Sequence, residues 1–414
     1  MITVKPFYAL RPINELVSKC AALPYDVMSS SEARVMVEGN PYSFLRVDRA
    51  EINLEQGVDI YSQRVYETAR DTLARLENDG VYINDESKRY YFYRQIMNGH
   101  SQTGIVGCAS IYDYLENRIK KHEFTREDKE IDRIKHVDTV SAHTGPIFLT
   151  YKDSTVLDNL IISQTEKEPL YDFVSEDGVR HTVWTTDNSV VDSQIEEAFK
   201  NLEALYIADG HHRCASAVKV GVKRKNENKN HTGNEEYNYF LSVIFPSKAL
   251  AILDYNRLLR DLNGYSTKDF LKIVAEKIGT VTEYNKEGPY KPTKKHNIGI
   301  YLDGKWYSVE FHNDICNAEK AVDRLDCAIL QKHLISGILG IDDPRTDKRI
   351  DFAGGIRGLA YLEERCKEDA VMAISMYPTS LDDLMSVADN GDVMPPKSTW
   401  FEPKLRSGLL IHKI

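Results

Sequence analysis

The sequence contains little that would mark it as secreted, disulfide-bonded or membrane-embedded. Its 414 residues include six cysteines, which lie far apart and form no C-x-x-C pair, so neither a disulfide framework nor a cysteine zinc site is predicted. No stretch approaches the run of about eighteen apolar residues that a membrane span requires. The first residues show no basic segment followed by an apolar one, which argues against a signal peptide. We therefore expect a soluble, cytoplasmic protein with no membrane partner.

The chain also lacks a surplus of positive charge. Its 53 lysines and arginines stand against 63 acidic residues, which gives a net charge of −10, whereas proteins that coat DNA or RNA normally carry a basic face. No nucleic-acid partner is therefore expected, although a small basic pocket for phosphate is compatible with this charge. Neither the P-loop pattern nor the G-x-G-x-x-G pattern of dinucleotide-binding folds occurs in the sequence.

What the sequence does contain is an alternation of predicted strands and helices. A hydrophobic fraction of 42% permits a packed core, and the length suggests two or three domains. Two turn-forming pairs, Asn98-Gly99 and Asp303-Gly304, each separate two β-rich runs and predict hairpins. Apolar periodicity predicts a helix over 59–78, and residues 42–47 are typical of a strand. The predicted fold class is mixed α/β (α/β or α+β).

A polar helix is predicted over residues 125–140. Thr125 and Asp128 resemble a capping box at its start. An amphipathic helix normally buries its apolar stripe, and here that stripe is narrow and consists of Ile131, Ile134 and Val137.

The most informative segment is the turn Asp209-Gly210-His211-His212-Arg213, which follows an apolar strand candidate and precedes a helix. Such a strand–turn–helix directs unpaired backbone N–H groups and the positive end of the helix dipole at one place, which suits an anion. Gly210 lets a ligand approach the backbone closely. His211, His212 and Arg213 offer donors for phosphate oxygens. Asp209 could hold a divalent ion or accept the proton of an attacking hydroxyl.

Simpler interpretations of this segment stay open. A pair of histidines in a turn is more often a solvated surface feature than a catalytic one. Cys214 is more simply explained as a small buried residue on the first helical turn than as a reactive thiol. The position of the turn at the end of a strand nevertheless favours ligand binding.

The segment from Ile207 to Arg213 resembles the signature turn of the ParB/sulfiredoxin superfamily, which grips nucleotide phosphates in that fold. The Asp-Gly-His-His-Arg form is similar to that of the free-serine kinases of the superfamily. Sulfiredoxin has its catalytic cysteine two residues before the motif arginine, where this sequence has His211, so sulfiredoxin chemistry is not implied. ParB proteins add a helix-turn-helix DNA reader and a basic surface, and neither is evident here.

Two further segments resemble the same kinases. Lys121-His122-Glu123 and the helix after it are similar to a segment whose glutamate takes the proton from the serine hydroxyl, which implies that Glu123 is the base. The segment 382–399 near the end of the chain resembles a short helix and loop that help to build the amino-acid pocket of these kinases. This implies that Lys397, Ser398 and Thr399 bind substrate. A lysine and two hydroxyls suit a carboxylate or a phosphate. The alternative for Glu123 is an exposed carboxylate before a helix. The alternative for Lys397 to Thr399 is a proline-rich surface loop.

The whole chain resembles a widespread bacterial family of formerly uncharacterised proteins related to these kinases. The resemblance implies three parts: an N-terminal α/β module (1–112), a ParB/sulfiredoxin-like catalytic core (113–245) and a C-terminal lobe that completes the substrate site (246–414). The motifs that carry this resemblance are Pro6-Phe7, Arg11-Pro12, Pro24 to Val27, Asn40 to Leu45 and His143 to Pro146.

The function implied by the resemblance is a kinase for a free amino acid. The terminal phosphoryl group of ATP or ADP would pass to the hydroxyl of free L-serine and give O-phosphoserine, with Mg²⁺ as cofactor. The turn from Asp209 to Arg213 would hold the phosphates, and Asp209 is also the candidate metal ligand. Whether the donor is ATP or ADP, and whether serine or a close analogue is the acceptor, stays open. An alternative from another class is a non-catalytic nucleotide-binding regulator.

Overall fold

The computed structural model describes all 414 residues, and these divide into two compact units. The first unit comprises residues 1–250 and 403–414, and the second comprises residues 251–402. The end of the chain therefore packs with the first 250 residues. The three-part division at residues 112 and 245 concerns functional modules, which contacts alone do not define, and it stays a prediction.

Strands and helices alternate along the chain. The strands are β1 (Val4–Lys5), β2 (Ala9–Pro12), β3 (Tyr82–Asn84), β4 (Tyr91–Met97), β5 (His100–Ser110), β6 (Ile119–Lys120), β7 (Ala142–His143), β8 (Ile147–Tyr151), β9 (Tyr171–Val174), β10 (Arg180–Thr185), β11 (Leu205–Asp209), β12 (Tyr239–Pro246), β13 (Ile252–Leu253), β14 (Tyr255–Leu259), β15 (Gly279–Tyr284), β16 (Asn297–Leu302), β17 (Lys305–Phe311), β18 (Ile350–Gly354), β19 (Met372–Ser375), β20 (Trp400–Phe401) and β21 (Ile411–Lys413).

The α-helices are α1 (Val17–Cys20), α2 (Ser30–Met36), α3 (Leu45–Asp48), α4 (Gln63–Asn78), α5 (Ile111–Leu115), α6 (Glu127–Val140), α7 (Thr155–Thr165), α8 (Ser189–Lys200), α9 (His211–Glu227), α10 (Thr267–Lys277), α11 (Asn313–Cys316), α12 (Asp326–Ile329), α13 (Ala360–Glu368) and α14 (Leu381–Asp389). A π-helical segment, Leu330–Ser336, follows α12, and single 3₁₀ turns occur at Asn14–Leu16, Tyr25–Val27, Ala50–Asn53, Glu236–Asn238, Ser247–Ala249, Val322–Arg324 and Gly355–Arg357. None of the helices combines the length and the apolar character needed to cross a membrane.

The strands form sheets within each unit. In the first unit a nine-stranded sheet has the order β6-β11-β8-β12-β5-β4-β10-β9, with β1 added beside β5, and a four-stranded sheet has the order β3-β2-β21-β7. The pairs β12–β8 and β11–β6 are parallel, and the other pairs of the large sheet are antiparallel. In the second unit a six-stranded antiparallel sheet has the order β15-β17-β16-β19-β14-β18, and β13 pairs with β20. The mixed α/β prediction is confirmed; the ParB/sulfiredoxin-like assignment stays a prediction.

The centre of the large sheet is buried on both faces. All residues of β8 and β12 are buried, which explains why these strands are nearly continuous apolar runs and not alternating ones. Ile207 of β11 lies in one hydrophobic cluster with Leu149, Phe199 and Phe240. The strand that leads to Asp209 is therefore fixed by the main core of the unit.

Both predicted hairpins are confirmed. Asn98 and Gly99 join β4 to β5, and Asp303 and Gly304 join β16 to β17. In each pair both residues have positive φ, 50° and 80° in the first and 52° and 74° in the second. This is the backbone that two-residue primed turns require and that Asn-Gly and Asp-Gly adopt most readily. The predicted helix over 59–78 is present as α4, which begins at Gln63.

The predicted strand at residues 42–47 is wrong, because this segment turns into the short helix α3. The Asn40 side chain accepts a hydrogen bond from the Tyr42 amide at 3.1 Å, and Arg46 Nε donates to the Asn40 carbonyl at 3.0 Å. Phe44 and Leu45 are buried side by side in the sequence, whereas a half-buried strand buries alternate residues. Local side-chain bonds to the backbone thus override the β-propensity of the segment.

The prediction for the helix over 125–140 is correct in its position and wrong in its cap and buried face. Arg126 is the N-cap residue without a side-chain cap bond, and Thr125 Oγ1 donates instead to Glu130 at 2.7 Å. Ile131 is 46% exposed. The buried face is mostly polar and consists of Glu130, Asp132, Arg133, His136 and Val140.

That polar face is buried because its members have partners on neighbouring elements. Asp132 accepts a hydrogen bond from Tyr66 of α4 at 2.9 Å and forms an ion pair with Arg133 at 2.8 Å. The Arg133 guanidinium also lies 4.0 Å from the ring centre of Tyr25. Buried charges are stable only when paired in this way, and a single sequence does not show which partners arrive from elsewhere.

Candidate functional site

The predicted strand–turn–helix is confirmed at the end of β11. Asp209 ends the strand, Gly210 takes the left-handed conformation at φ 90°, and α9 begins at His211. No side chain caps the first turn of α9, so its backbone N–H groups are open to an external acceptor. Because α9 has 17 residues, the full positive end of its dipole lies at this turn, as an anion site requires.

Arg213 folds back over the turn and explains why a glycine precedes the helix. A Cβ added at Gly210 would lie 3.1 Å from the Arg213 guanidinium, and the positive φ disfavours any other residue there. Arg213 Nη1 donates to the Pro146 carbonyl at 2.5 Å, and its Nη2 lies 3.9 Å from Asp209 Oδ2. Arg213 thus holds the turn together and places a positive charge beside it.

Asp209 is held by donors on both carboxylate oxygens. Its Oδ1 accepts a hydrogen bond from the Gly210 amide at 2.9 Å, and Lys404 Nζ lies 3.2 Å from its Oδ2. Burial raises the pKa of Asp209, but the charges of Lys404 and Arg213 outweigh burial and lower it below its usual range. Asp209 is therefore an ionised anchor for two cations at neutral pH.

Lys404 is a site residue that the sequence did not reveal. Its carbonyl accepts a hydrogen bond from Gln95 at 2.9 Å, and Gln95 in turn accepts one from Gln102 at 3.0 Å. Both glutamines are buried on the hairpin β4–β5. The hairpin therefore positions the tail residue that pairs with Asp209. No local motif marks Lys404, since its role depends on the return of the C-terminus to the first unit.

His211 lies beside Glu123 and His122. The Nδ1 atom of His211 is 3.9 Å from Glu123 Oε2, and the His122 and His211 rings meet edge to face with centres 4.5 Å apart. Burial lowers the pKa of His122 to about 4 and that of His211 well below its usual value. Both rings are therefore neutral at pH 7. The structure brings the predicted base, Glu123, to the predicted phosphate turn.

His212 forms a structural hydrogen bond to a residue outside the predicted phosphate turn. Its Nε2 accepts a hydrogen bond from the Arg126 amide at 2.9 Å, at the start of α6. Burial lowers the pKa of His212, and a neutral ring is the form that can accept this bond. His212 thus connects α9 to α6, and its contact with phosphate stays a prediction.

Cys214 lies inside the core, in agreement with the simpler interpretation. It is fully buried, and burial raises the pKa of its thiol well above the usual value. Reactive cysteines have lowered pKa values and some exposure. Cys214 therefore packs the first turn of α9 against the sheet.

A small cavity lies behind Arg213. Its volume is about 30 Å³, enough for one water molecule. Asp48 Oδ1 and Arg213 Nε are buried without a hydrogen-bond partner in the protein, so the cavity borders groups that an internal water can satisfy. Its polar lining consists of Tyr25, Asp48, Arg133, His136, His143, Thr144, Arg213 and Ser407.

The predicted substrate loop lies in the second unit. Lys397 has a positive φ of 60°, and its Nζ is 5.5 Å from the ring centre of Tyr255. The Ser398 hydroxyl is buried and donates to the Pro395 carbonyl at 2.6 Å, so it already has a structural role. Thr399 is partly exposed. A role for these residues in binding an amino acid stays a prediction.

The residues at the turn do not fit Mg²⁺ as a resident ion. Mg²⁺ prefers octahedral oxygen ligands, but both oxygens of Asp209 are engaged by N–H or ammonium donors. The group of metal-ligating residue types at this end of α9 contains His122 and His211, and imidazole nitrogen suits transition metals better than Mg²⁺. The assignment of Mg²⁺ to Asp209 is therefore not supported by the donors present.

Comparison with known proteins gives one family match and several distant structural likenesses. The family model described as "Protein of unknown function (DUF1015)" matches residues 4–328. No curated protein matches this chain.

The solved structures that are similar to this chain include three of different kinds. A free serine kinase in complex with AMP is 15% identical with a TM-score of 0.36, over 69% of this chain and 84% of that one. SbnI from Staphylococcus aureus, truncated at its C-terminus, is 9% identical with a TM-score of 0.38, over 72% and 82%. A conserved hypothetical protein from Pyrococcus furiosus is 16% identical with a TM-score of 0.35, over 70% and 90%.

Proposed function

The chain belongs to the family described as protein of unknown function (DUF1015), and from the geometry of its turn we propose that it is a nucleotide-dependent phosphotransferase. The terminal phosphoryl group of ATP or ADP passes to the hydroxyl of free L-serine and gives O-phosphoserine. The choice of serine comes from the resemblance of three sequence motifs to those of free-serine kinases. The choice of phosphoryl transfer comes from the turn itself.

The observation that carries the proposal is the uncapped start of α9 next to Asp209, which two cations contact. The open N–H groups of the first turn, Arg213 and Lys404 together form a site for phosphate oxygens. Phosphoryl transfer depends mainly on positioning and on the neutralisation of charge on the transferred group. Asp209 keeps both cations at the turn before the nucleotide arrives, so little reorganisation is needed on binding.

Glu123 is the proposed base. Its side chain is 40% exposed and lies 3.9 Å from His211 at the edge of the turn, so a small hydroxyl compound can reach it. A base within hydrogen-bond reach of the acceptor hydroxyl removes its proton as the oxygen attacks phosphorus. His211 is neutral and can hold the acceptor or a phosphate oxygen through its ring.

The amino acid is proposed to contact Lys397 and Thr399, which offer an ammonium group and a hydroxyl. The replacements Lys397→Ala and Thr399→Ala should each raise the KM for serine and leave the KM for nucleotide nearly unchanged, because uniform binding of one substrate is lost. Steady-state kinetics with each substrate varied in turn measures this. A rise in the KM for nucleotide without a rise in the KM for serine would contradict the assignment of Lys397 and Thr399 to the amino-acid site.

The deciding experiment is a turnover assay with an amino-acid panel. The full chain is incubated with ATP or ADP, Mg²⁺ and serine, threonine, homoserine or alanine, and products are identified by mass spectrometry. We expect O-phosphoserine with serine and no product with alanine, which lacks a hydroxyl. Nucleotide binding without any phosphorylated amino acid would contradict the kinase and favour the regulator.

A further inference from the structure

The first unit contains three side chains of metal-ligating types whose close approach the proposed phosphoryl transfer does not require, although that proposal uses two of them, Glu123 and His211. His122 and Glu123 lie two and three residues after the end of β6, and His211 begins α9. One ligand atom from each of the three side chains lies within 4.8 Å of the other two. The segment after β6 and the start of α9 therefore bring two imidazoles and a carboxylate together from distant parts of the sequence.

The ring nitrogens in this group have unused bonding capacity. Both nitrogens of His122 and the Nε2 of His211 are buried without a hydrogen-bond partner. The two side chains are only 2% and 6% exposed. Buried polar atoms without a partner are uncommon in native proteins, and a bound water or ion is one explanation for such an atom.

We propose that His122, Glu123 and His211 bind one divalent transition-metal ion of the Zn²⁺ class. Two imidazoles and one carboxylate are a known type of three-ligand set for such ions, and they leave a coordination position for a substrate oxygen or water. Ligand atoms at about 2.0–2.2 Å from a tetrahedral ion are about 3.3 Å apart. Modest side-chain rotation therefore suffices to close the present spacing.

The surroundings suit the ligated form of the histidines. Metal binds the neutral imidazole, and burial keeps His122 and His211 neutral at pH 7. Asp209 raises the pKa of both rings, which places its negative charge close to the group. That charge and Glu123 offset the positive end of α9, which alone would disfavour a cation.

The proposal shares Glu123 and His211 with the proposed kinase site, but its test does not depend on the kinase function, because metal binding is measured without nucleotide or amino acid. The metal-free full chain is titrated with Co²⁺, followed by visible absorption, and with Zn²⁺, followed by calorimetry. We expect one ion per chain and no displacement of Co²⁺ by millimolar Mg²⁺. The Co²⁺ spectrum should lack thiolate charge-transfer bands, since no cysteine belongs to the group.

Variants test the ligand assignment. Glu123→Gln and His211→Gln should each weaken Zn²⁺ binding by at least about 100-fold, because even the outer partners of metal ligands are worth about 10–100-fold in affinity. His143→Gln is the matched control, since His143 is also a buried histidine with an unpartnered Nε2. It should bind Zn²⁺ like the unmodified protein.

Three results would overturn the proposal. They are the absence of saturable Co²⁺ or Zn²⁺ binding, unchanged affinity in Glu123→Gln, and an equal loss in His143→Gln. Glu123 is partly exposed, so its replacement decides the matter even where a buried histidine variant fails to fold, and a thermal melt of each variant identifies that case.

Discussion

Two groups of side chains in the first unit have the same composition and different bonding. His122, His211 and Glu123 form one group, and the other contains two histidines and Glu236. In both groups the two rings meet edge to face, with centres 4.5 Å apart in the first and 5.5 Å in the second. Residue type and ring contact therefore do not distinguish a candidate site from a structural cluster.

Hydrogen bonding distinguishes them. In the second group His412 Nε2 lies 2.9 Å from Glu236, which also accepts from Lys88 at 2.6 Å, and His143 Nδ1 accepts from the Leu241 amide at 3.2 Å. Every ring there has a bonded nitrogen. In the first group both nitrogens of His122 and the Nε2 of His211 are buried without a hydrogen-bond partner in the protein. Each ring of the second group thus has one bonded and one unpartnered nitrogen, whereas His122 has two ring nitrogens available to a ligand.

The largest expected difference between the two groups is in turnover. Glu123→Gln should lower kcat by roughly 10²–10⁴, the usual share of general-base catalysis, and leave nucleotide affinity nearly intact. Glu236→Gln should leave kcat within about twofold, because its partners are structural. The amino-acid assay, run on both variants with Glu127→Gln as an exposed control, measures this. Equal losses in the Glu123 and Glu236 variants would break the distinction.

The next largest expected effect is on nucleotide affinity, and it concerns Arg213, the cation at the turn beside the first group. Arg213→Ala should weaken nucleotide binding by about 1.5–3 kcal/mol, the worth of a hydrogen bond to a charged group. Calorimetric titration with ADP measures the loss. Arg126→Ala is the control, since Arg126 is exposed and pairs only with its neighbour Asp128 in the ion pairs of this segment. Unchanged nucleotide affinity in Arg213→Ala would contradict the assignment of the nucleotide phosphates to this turn.

A smaller effect is expected in the second group. Glu236→Gln removes the charge that His412 and Lys88 share, and chemical denaturation should show a loss of about 1–2 kcal/mol after discounting for partial exposure. Burial raises the pKa of Glu236, but these two partners lower it to about 2. The ionised carboxylate of Glu236 therefore stabilises the fold at pH values above the ordinary glutamate pKa. This stability is lost as the pH falls toward 2. A variant as stable as the parent protein would show that the pair carries no net energy.

The smallest expected effect is on the pH dependence of stability. It concerns His181, a buried histidine that belongs to neither group. Both nitrogens of His181 are bonded, to Tyr93 at 2.8 Å and to Ser175 at 2.9 Å. Burial and the charge of Arg406 lower the pKa of His181 to about 3.

Unfolding therefore adds a proton to this ring below its usual pKa of about 6.5, and stability falls as pH decreases from there toward 3. The loss reaches about 0.8 kcal/mol at pH 6 for one such ring. His181→Gln should flatten the dependence of the melting temperature on pH between 7.5 and 6, and an unchanged slope would contradict the assignment.

Local patterns explain the parts of the structure that were predicted. Asn98-Gly99 and Asp303-Gly304 encode their turns in two residues, because few other pairs adopt two successive positive φ angles. The turn at Gly210 follows from an apolar strand, a glycine and a helix of small residues in direct succession. In contrast, the buried face of α6 was missed because its charged residues find partners on α4, α9 and a distant turn.

By itself the sequence determined the mixed α/β class, the two hairpins and the anion-suited turn from Asp209 to Arg213, since each depends on neighbours in the chain. Only the tertiary structure decided that Lys404 pairs with Asp209 and that His122 meets His211. Those contacts join β6, β11, α9 and the returning C-terminus. Side chains that converge from separate strands are set by packing of the whole sheet, and no short pattern in the sequence records it.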